Sequence, residues 1–394
     1  MPDTSRRVLF LNSGILGHRT VGGLFRDVAA LLPRIDAVHV DLSGELSWAD
    51  RAVRRVFSLR LAPSRGLAAN LDLRRWREEL NVGLLAGRRI ARLELEGGPF
   101  DVLHFHTQAS AYASLRRMRQ TPSIVSIDCT QCLASREAES SVSRASYYPN
   151  VVHDALVFRR ASVITSTSRW AADDLLQRYP ACAGKVHVMA YPVRTHFPHS
   201  IVDVRFERTH AEPGRPVQVL FIGGDFRRKG GPELLEAWHA GGFAAGAALQ
   251  LVTDWPAAQD ELPDGVRIVR GITPHSDAWK ELWRTADLFV MPSRHEAFGM
   301  VYQEAAAAGV PVVATRLNAI PEIVEDGRTG ILVPPGDQSA LVQAMRALVD
   351  SAELRRRMGA AAIARVAGAT PAAYAARLQR LITAALDTHD VYAA

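Results

Sequence analysis

The sequence predicts an α/β chain built from two Rossmann-like, doubly wound domains. Three observations lead there. Short β-rich runs alternate with helical patterns along the chain, as parallel βαβ units require. The opening Val8-Leu9-Phe10-Leu11-Asn12-Ser13-Gly14 is echoed 211 residues later by Val219-Leu220-Phe221-Ile222-Gly223-Gly224. Each is a strand, then a glycine loop, then a helical pattern, which is how such a domain begins. Finally, 394 residues with 48% hydrophobic content are enough for two or three globular domains, each with a sizeable core.

The elements follow in order. After the first strand, candidates in the first half are Val38–Val40, Val102–Phe105, Ile124–Ile127 and Val163–Thr165. The second half offers Leu249–Val252, Val266–Val269, Leu288–Met291 and Val312–Ala314. Arg169–Arg178, Glu233–His239 and Ala340–Val349 read as helices. The boundary is expected near Tyr191–Thr195 or in a stretch, Arg205–Arg215, that reads as irregular, which divides the chain into 1–193 and 194–371. A terminal helix at about 372–394 follows. Arg6 and Arg7 precede an apolar run too short for a signal peptide, and no eighteen-residue apolar stretch suggests a membrane span. Cys129, Cys132 and Cys182 are too few for a disulfide framework and fit a reducing compartment. The lone Cys129-Thr-Gln-Cys132 has no second pair with which to hold zinc.

The chemistry concentrates at residues 286–337. Leu288–Met291 closes as a strand, and Glu296 follows in the loop at its carboxyl end. Gly299 would open a helix whose N–H groups face the same crevice and suit anionic oxygens. Glu304 would lie one to two turns into that helix, with Gly309 as its cap and Pro311 as its stop. An ionised carboxylate only accepts hydrogen bonds, so its natural partners are hydroxyl pairs of sugar or ribose. A second element is Gly223-Gly224-Asp225-Phe226-Arg227-Arg228-Lys229-Gly230-Gly231-Pro232, between strand and helix. Three cations at a helix amino end oppose its dipole, which makes sense around a bound anion such as a diphosphate; the plainer reading is a solvated basic turn. In the first half, Gly14-Ile-Leu-Gly17-His18-Arg19 is a glycine loop after strand one, and it is not a Walker A loop. Asp101-Val-Leu-His104-Phe-His106 puts two histidines on one strand face, with His106 nearer the carboxyl end and His104 reading as core.

The ordered run from Ala286 to Asp337 resembles the donor-site signature of family 4 retaining glycosyltransferases. It comprises Ala-Asp-Leu-Phe-Val-Met-Pro-Ser, then Glu-x7-Glu, Ala-Gly-Val-Pro-Val-Val-Ala-Thr and Pro-Glu-Ile-Val-Glu-Asp-Gly-Arg-Thr-Gly-Ile-Leu-Val-Pro-Pro-Gly-Asp. The resemblance implies the two-domain GT-B fold, its domains facing a central cleft, with an acceptor-side N-terminal half, to which the terminal helix returns, and a C-terminal half that binds a nucleoside-diphosphate sugar. It implies that Lys229, with Arg227 or Arg228, contacts the diphosphate, that Glu304 holds the ribose and that Glu296 holds the sugar. Backbone N–H groups of Phe298, Gly299 and Met300 would contact sugar and phosphate. Gly17 would approach the donor phosphate or acceptor, and His106 would lie near the reacting sugar. No cofactor or metal is expected beyond the donor itself. The sequence departs from the family at Gly224, where arginine is common, and at Asn318-Ala319, where a glycine pair is common. The alternative is a protein that binds a sugar nucleotide without transfer, as a regulator, or an isomerase on the same scaffold.

Between Arg51 and Arg92 stand eleven arginines against Asp72, Glu78 and Glu79, a local charge of +8 where the whole chain carries +6. Apolar residues such as Val56, Phe57, Leu71, Leu73 and Trp76 are interleaved. Such a surface suits an anionic membrane or acceptor, and it also reads as ordinary solvated helix faces. No nucleic-acid module accompanies the charge, so no nucleic-acid partner is expected. The expected location is the cytoplasm, where this region would meet the inner face of the membrane.

Overall fold

The computed structural model describes residues 5–14, 18–44, 47–61, 72–138, 140–212, 214–258 and 261–393. The chain divides into two compact units, residues 1–190 with 371–394, and residues 191–370. Each unit is built on a six-stranded, wholly parallel sheet.

In the first unit the strands are β1 (Arg6–Asn12), β2 (Ile35–Asp41), β3 (Val102–His106), β4 (Ser123–Ile127), β5 (Val163–Ser166) and β6 (Val186–Val188), in the order β2-β1-β3-β4-β5-β6. Strands covered on both faces read as continuous apolar runs, and Val8–Leu11 is fully buried for that reason. One face carries Leu9, Leu11, Leu103, Phe105, Val125 and Ile127, covered by Leu85 and Ile90 of the helix Arg74–Gly97 and by Val157 and Phe158 of the helix Tyr148–Arg160. The other receives the helix His18–Ala29 and the terminal helix Pro371–Ala393. The terminal helix buries Tyr374, Leu378, Ile382 and Ala385, an i, i+4, i+8, i+11 stripe.

In the second unit, β7 (Val217–Ile222), β8 (Ala247–Val252), β9 (Val266–Val269), β10 (Leu288–Met291), β11 (Val312–Thr315) and β12 (Gly330–Val333) are ordered β12-β11-β10-β7-β8-β9. In both sheets the chain runs outward to one edge and then returns to build the other side. The reversal falls between β1 and β3 in the first unit and between β7 and β10 in the second. In open parallel sheets a ligand crevice forms at that switch point, outside the carboxyl ends of the strands.

All eight strand candidates are strands. Two edge strands, β6 with three residues and β12 with four, were not among the candidates. The stretch Arg205–Arg215, read as irregular, is corrected: most of it lies in the helix Ser200–Ala211. Its charged sequence hid a packed face. Arg205 is buried, and its guanidinium donates to the carbonyls of Trp283 (2.6 Å), Gly309 (3.1 Å) and Arg284 (3.3 Å). Gly17 and residues 62–71 of the arginine-rich segment lie outside the described residues. Among the described residues no helix is long and apolar enough to cross a membrane.

Candidate active site

In the second unit, the turn after β7 and the loop after β10 meet at the switch point. Glycine makes that approach possible. Gly230 has φ +79°, and a Cβ there would stand 1.9 Å from the carbonyl oxygen of Pro292. No other residue fits both the backbone angle and the contact. The turn is fastened further by Arg294 N–H donating to the Arg228 carbonyl at 2.9 Å. Lys229, next to Gly230, is thereby carried to Glu296, and the two side chains form an ion pair.

Both partners are largely removed from water, with side-chain exposures of 15% and 10%. Burial lowers the Lys229 pKa from its ordinary value; the Glu296 carboxylate opposes that shift and Arg228 adds to it. An ammonium has three donors, so Lys229 can keep Glu296 and still bind an anion. Arg228 is exposed, held by Asp225 (3.3 Å) and by the His295 carbonyl (2.9 Å). Arg227 is exposed and makes no ion pair among the described residues. The structure thus brings Lys229, Arg228 and Glu296 together.

Gly299 has φ +87° and caps the helix Met300–Ala307. A Cβ there would meet the Tyr302 ring at 2.6 Å and Glu296 Cγ at 3.2 Å. Tyr302 is fixed from below, its hydroxyl donating to the Met291 carbonyl at 2.9 Å. Phe298 turns inward and packs edge-on against Tyr191, with centroids 5.8 Å apart, so its side chain is taken up in packing. Glu304 occupies a different place from Glu296, in a small pocket with Pro192, Val193, Arg194, His275, Met300 and Gln303. Burial pushes its pKa up to about 8, against the pull of Arg194. The eight-residue spacing therefore sends one carboxylate to a cation and the other to a pocket wall.

Sequence reasoning missed Asn318 as a positioning residue. It sits at φ +49°, a left-handed conformation that glycine adopts freely and asparagine tolerates. Its amide donates to the Glu296 carbonyl at 3.1 Å. The signal was present as the departure from a glycine pair. Arg194 and Gln303 were missed as well; the latter donates to the Tyr191 carbonyl at 3.1 Å.

In the first unit, β1 and β3 end side by side with Asn12 opposite His106 in the register. His106 Nδ1 lies 3.1 Å from Asn12 Oδ1, and both residues are buried. The next residue, Thr107, has φ +69°, a strained conformation for a β-branched side chain. Such strain clusters where function requires a particular backbone course. His104 is a core histidine, its Nε2 lying 2.6 Å from Ser126 Oγ, with burial pushing its pKa down to about 3.

The family described as Glycosyl transferases group 1 matches residues 216–351. The D-inositol 3-phosphate glycosyltransferase of Corynebacterium glutamicum is 26% identical over 357 residues, covering 86% of this chain and 83% of that protein. The alpha-maltose-1-phosphate synthase of Mycolicibacterium smegmatis is 32% identical over 225 residues, covering 51% of this chain and 57% of the relative. Among solved structures, the sucrose-phosphate synthase of Thermosynechococcus elongatus superposes with a TM-score of 0.70 at 18% identity, covering 95% of this chain and 98% of that one. Anabaena HepE in complex with UDP-glucose gives 0.64 at 17% identity, covering 97% and 99%. These relatives are transferring or synthesising enzymes, which leaves the regulatory alternative without support. The matched domain at the second switch point, the relatives' common activity and the paired parallel sheets make this chain a glycosyltransferase of the GT-B fold.

Proposed function

We propose that the chain is a family 4 retaining glycosyltransferase that binds a nucleoside-diphosphate sugar on the second unit and works without a divalent metal. The observation that carries this reading is the Lys229–Glu296 pair, held at the switch point by Gly230 against Pro292. Negative charge grows on the departing diphosphate in an oxocarbenium-like transition state, and fixed cations stabilise it most where water is excluded. Lys229, with Arg228 or Arg227, would supply those cations, and the ion pair of Lys229 with Glu296 beside Arg228 supports that reading. Glu304 would accept the ribose hydroxyls, and Glu296, oriented by Lys229 and Asn318, would accept hydroxyls of the sugar. The N–H groups of Phe298, Gly299 and Met300 would meet sugar and phosphate at the start of their helix.

His106 would position a sugar hydroxyl, a role supported by its buried place at the end of β3 beside the strained Thr107. In the reaction the bond from the anomeric carbon to the diphosphate oxygen breaks, and a bond to the acceptor oxygen forms on the same face. The acceptor proton passes to the departing phosphate. The acceptor is a hydroxyl on a lipid-linked carrier, a glycan or a small molecule, and the arginine-rich part of the first unit is what would meet an anionic membrane carrying it.

The test is a thermal-shift panel of nucleoside-diphosphate sugars, followed by NMR of the product with and without EDTA. Stabilisation by one donor, an unchanged anomeric configuration and EDTA-resistant turnover are expected. Inversion, or activity lost to EDTA and restored by magnesium, would overturn the mechanism.

A further inference from the structure

Among the described residues, the arginine-rich region contains two helices with different fates. On the helix Arg74–Gly97, the first three arginines have partners within the protein. Arg74 pairs with Glu78 at 2.9 Å, and Arg75 lies over the Tyr147 ring at 4.5 Å. Arg77 pairs with Asp72 and donates to the carbonyls of Phe57 (2.9 Å) and Leu59 (2.7 Å). Arg77 therefore serves the other helix, Trp48–Ser58, by satisfying carbonyls at its carboxyl end. At the opposite end Ser47 accepts from the Asp50 N–H at 3.1 Å.

The helix so fastened turns some of its apolar residues inward and others outward. Ala49, Asp50, Val53 and Phe57 are the half-buried side, against the helix Arg74–Gly97. Trp48, Ala52 and Val56, at i, i+4 and i+8, form a stripe on the outward side, with Arg51 and Arg55 along its flank. Trp48 is 78% exposed and Val56 60% exposed. Leu59 and Leu61, just past the helix end, are 53% and 71% exposed. Of eleven exposed large apolar residues among the described ones, four fall between Trp48 and Leu61.

Charge selects the partner. Trp48–Leu61 holds Arg51, Arg54, Arg55 and Arg60 against Asp50 as its one acid. Asp50 is taken by Arg88 at 3.3 Å, and neighbouring Asp72 by Arg77. Arg54, Arg55 and Arg60 make no ion pair among the described residues. An apolar stripe with tryptophan at one end and arginines beside it matches a bilayer interface, where indole sits at headgroup level and guanidinium meets anionic lipid.

We propose that the outward face of Trp48–Ser58, continued by Leu59–Leu61, is a docking surface for an anionic lipid bilayer. This deepens the membrane part of the proposed function and is independent of its donor chemistry. Guanidinium groups attract anionic headgroups over a Debye length, and Trp48, Val56, Leu59 and Leu61 then enter the interface. Arg77 is a positioning residue that fixes the face outward.

The experiment is co-sedimentation of the full chain with phosphatidylcholine vesicles, with and without phosphatidylglycerol. The wild type is expected to sediment with the anionic vesicles and to be released by salt. The variant Arg51→Gln/Arg54→Gln/Arg55→Gln should lose about a hundredfold in partition, at roughly a factor of five per arginine. Trp48→Ser/Val56→Ser should bind weakly even at low salt, whereas Arg74→Gln should partition as wild type. Circular dichroism melts and nucleotide binding, both expected to be unchanged, separate this surface from the fold and the donor site. Wild-type protein left in the supernatant at low salt would overturn the proposal. So would a concentration-dependent dimer abolished by the same substitutions, which would make the face a contact between copies. Sedimentation without any nucleotide binding would sink the donor reading and leave the membrane surface standing.

Discussion

Lys229 and Glu296 form one unit, and each modifies what the other can do. Burial already disfavours the charged ammonium, and Glu296 is the group that opposes that shift. Lys229→Ala is expected to weaken binding of a nucleoside diphosphate at least about tenfold, or roughly 1.4 kcal/mol, by removing the cation from the diphosphate. Glu296→Gln releases the ammonium from its carboxylate, so the bare nucleotide should bind at least as well as to wild type while sugar transfer is lost. Glu304→Ala should weaken the bare nucleotide. Titration calorimetry with the nucleotide alone, beside a transfer assay, distinguishes the three; equal losses in both glutamate variants would show that the two roles are wrongly divided. Glu304 also links stability to pH. Its pKa is raised from 4.5 to about 8, so the folded state favours the protonated acid. That contribution is fully present below pH 4.5 and is lost as pH rises through 8. Melting temperatures across this window should fall less in Glu304→Gln than in wild type, and parallel curves would remove Glu304 as the cause.

At the scale of elements, the first unit is pinned by a buried carboxyl network that no motif announced. Glu79 accepts from Asn150 Nδ2 (2.7 Å) and Gln131 Nε2 (2.9 Å), and Asp154 accepts from the Gln131 N–H (2.9 Å). The Tyr112 hydroxyl lies 3.2 Å from Glu79 and 3.0 Å from Asp154. A phenol has one proton to donate, so it cannot serve both as carboxylates. Burial raises both acids, Asp154 well above its usual range. The consistent arrangement has Asp154 protonated and donating to Tyr112, which donates to an ionised Glu79. Asp154→Asn preserves that donor and should be tolerated, with less stability lost on raising pH than in wild type. Glu79→Gln turns an amide donor toward Asn150 and Gln131 and should cost about 1–3 kcal/mol. Urea unfolding at pH 5 and pH 8 checks both, and equal tolerance of the two would reverse the proton assignment. Helix patterns in this unit revealed which faces were apolar, but not that three elements converge on one proton.

Across the whole molecule, two units with separate cores should respond separately to a ligand. A nucleotide bound only by residues 191–370 at a hundred times its Kd stabilises that unit by about 2.7 kcal/mol. Scanning calorimetry is expected to show one transition moving up with nucleotide and another that stays; a single transition that shifts as a whole would mean the units unfold together. Much of this architecture was legible in the chain. Runs such as Val8–Leu11 and Leu288–Met291 are apolar because parallel strands are buried on both faces, and Gly230 and Gly299 stand where the backbone turns left-handed. The three-residue edge strand β6 and the helix Ser200–Ala211 were not legible, because so short a run carries little pattern and the packing of Arg205 depends on carbonyls about eighty and a hundred residues away. The sequence by itself determined the alternation of strands and helices, the two glycine turns and the spacing of Glu296 and Glu304. These are local properties, set by backbone sterics and side-chain period. Only the tertiary structure decided that Lys229 meets Glu296, that Tyr112 bridges Glu79 and Asp154, and that Trp48 and Val56 face outward while Arg77 turns back onto the carbonyls of Phe57 and Leu59. The contacts of Lys229 with Glu296, of Tyr112 with Glu79 and Asp154, and of Arg77 with Phe57 and Leu59 join segments separated in the chain, and local sequence carries no record of which partner close packing will bring to a side chain.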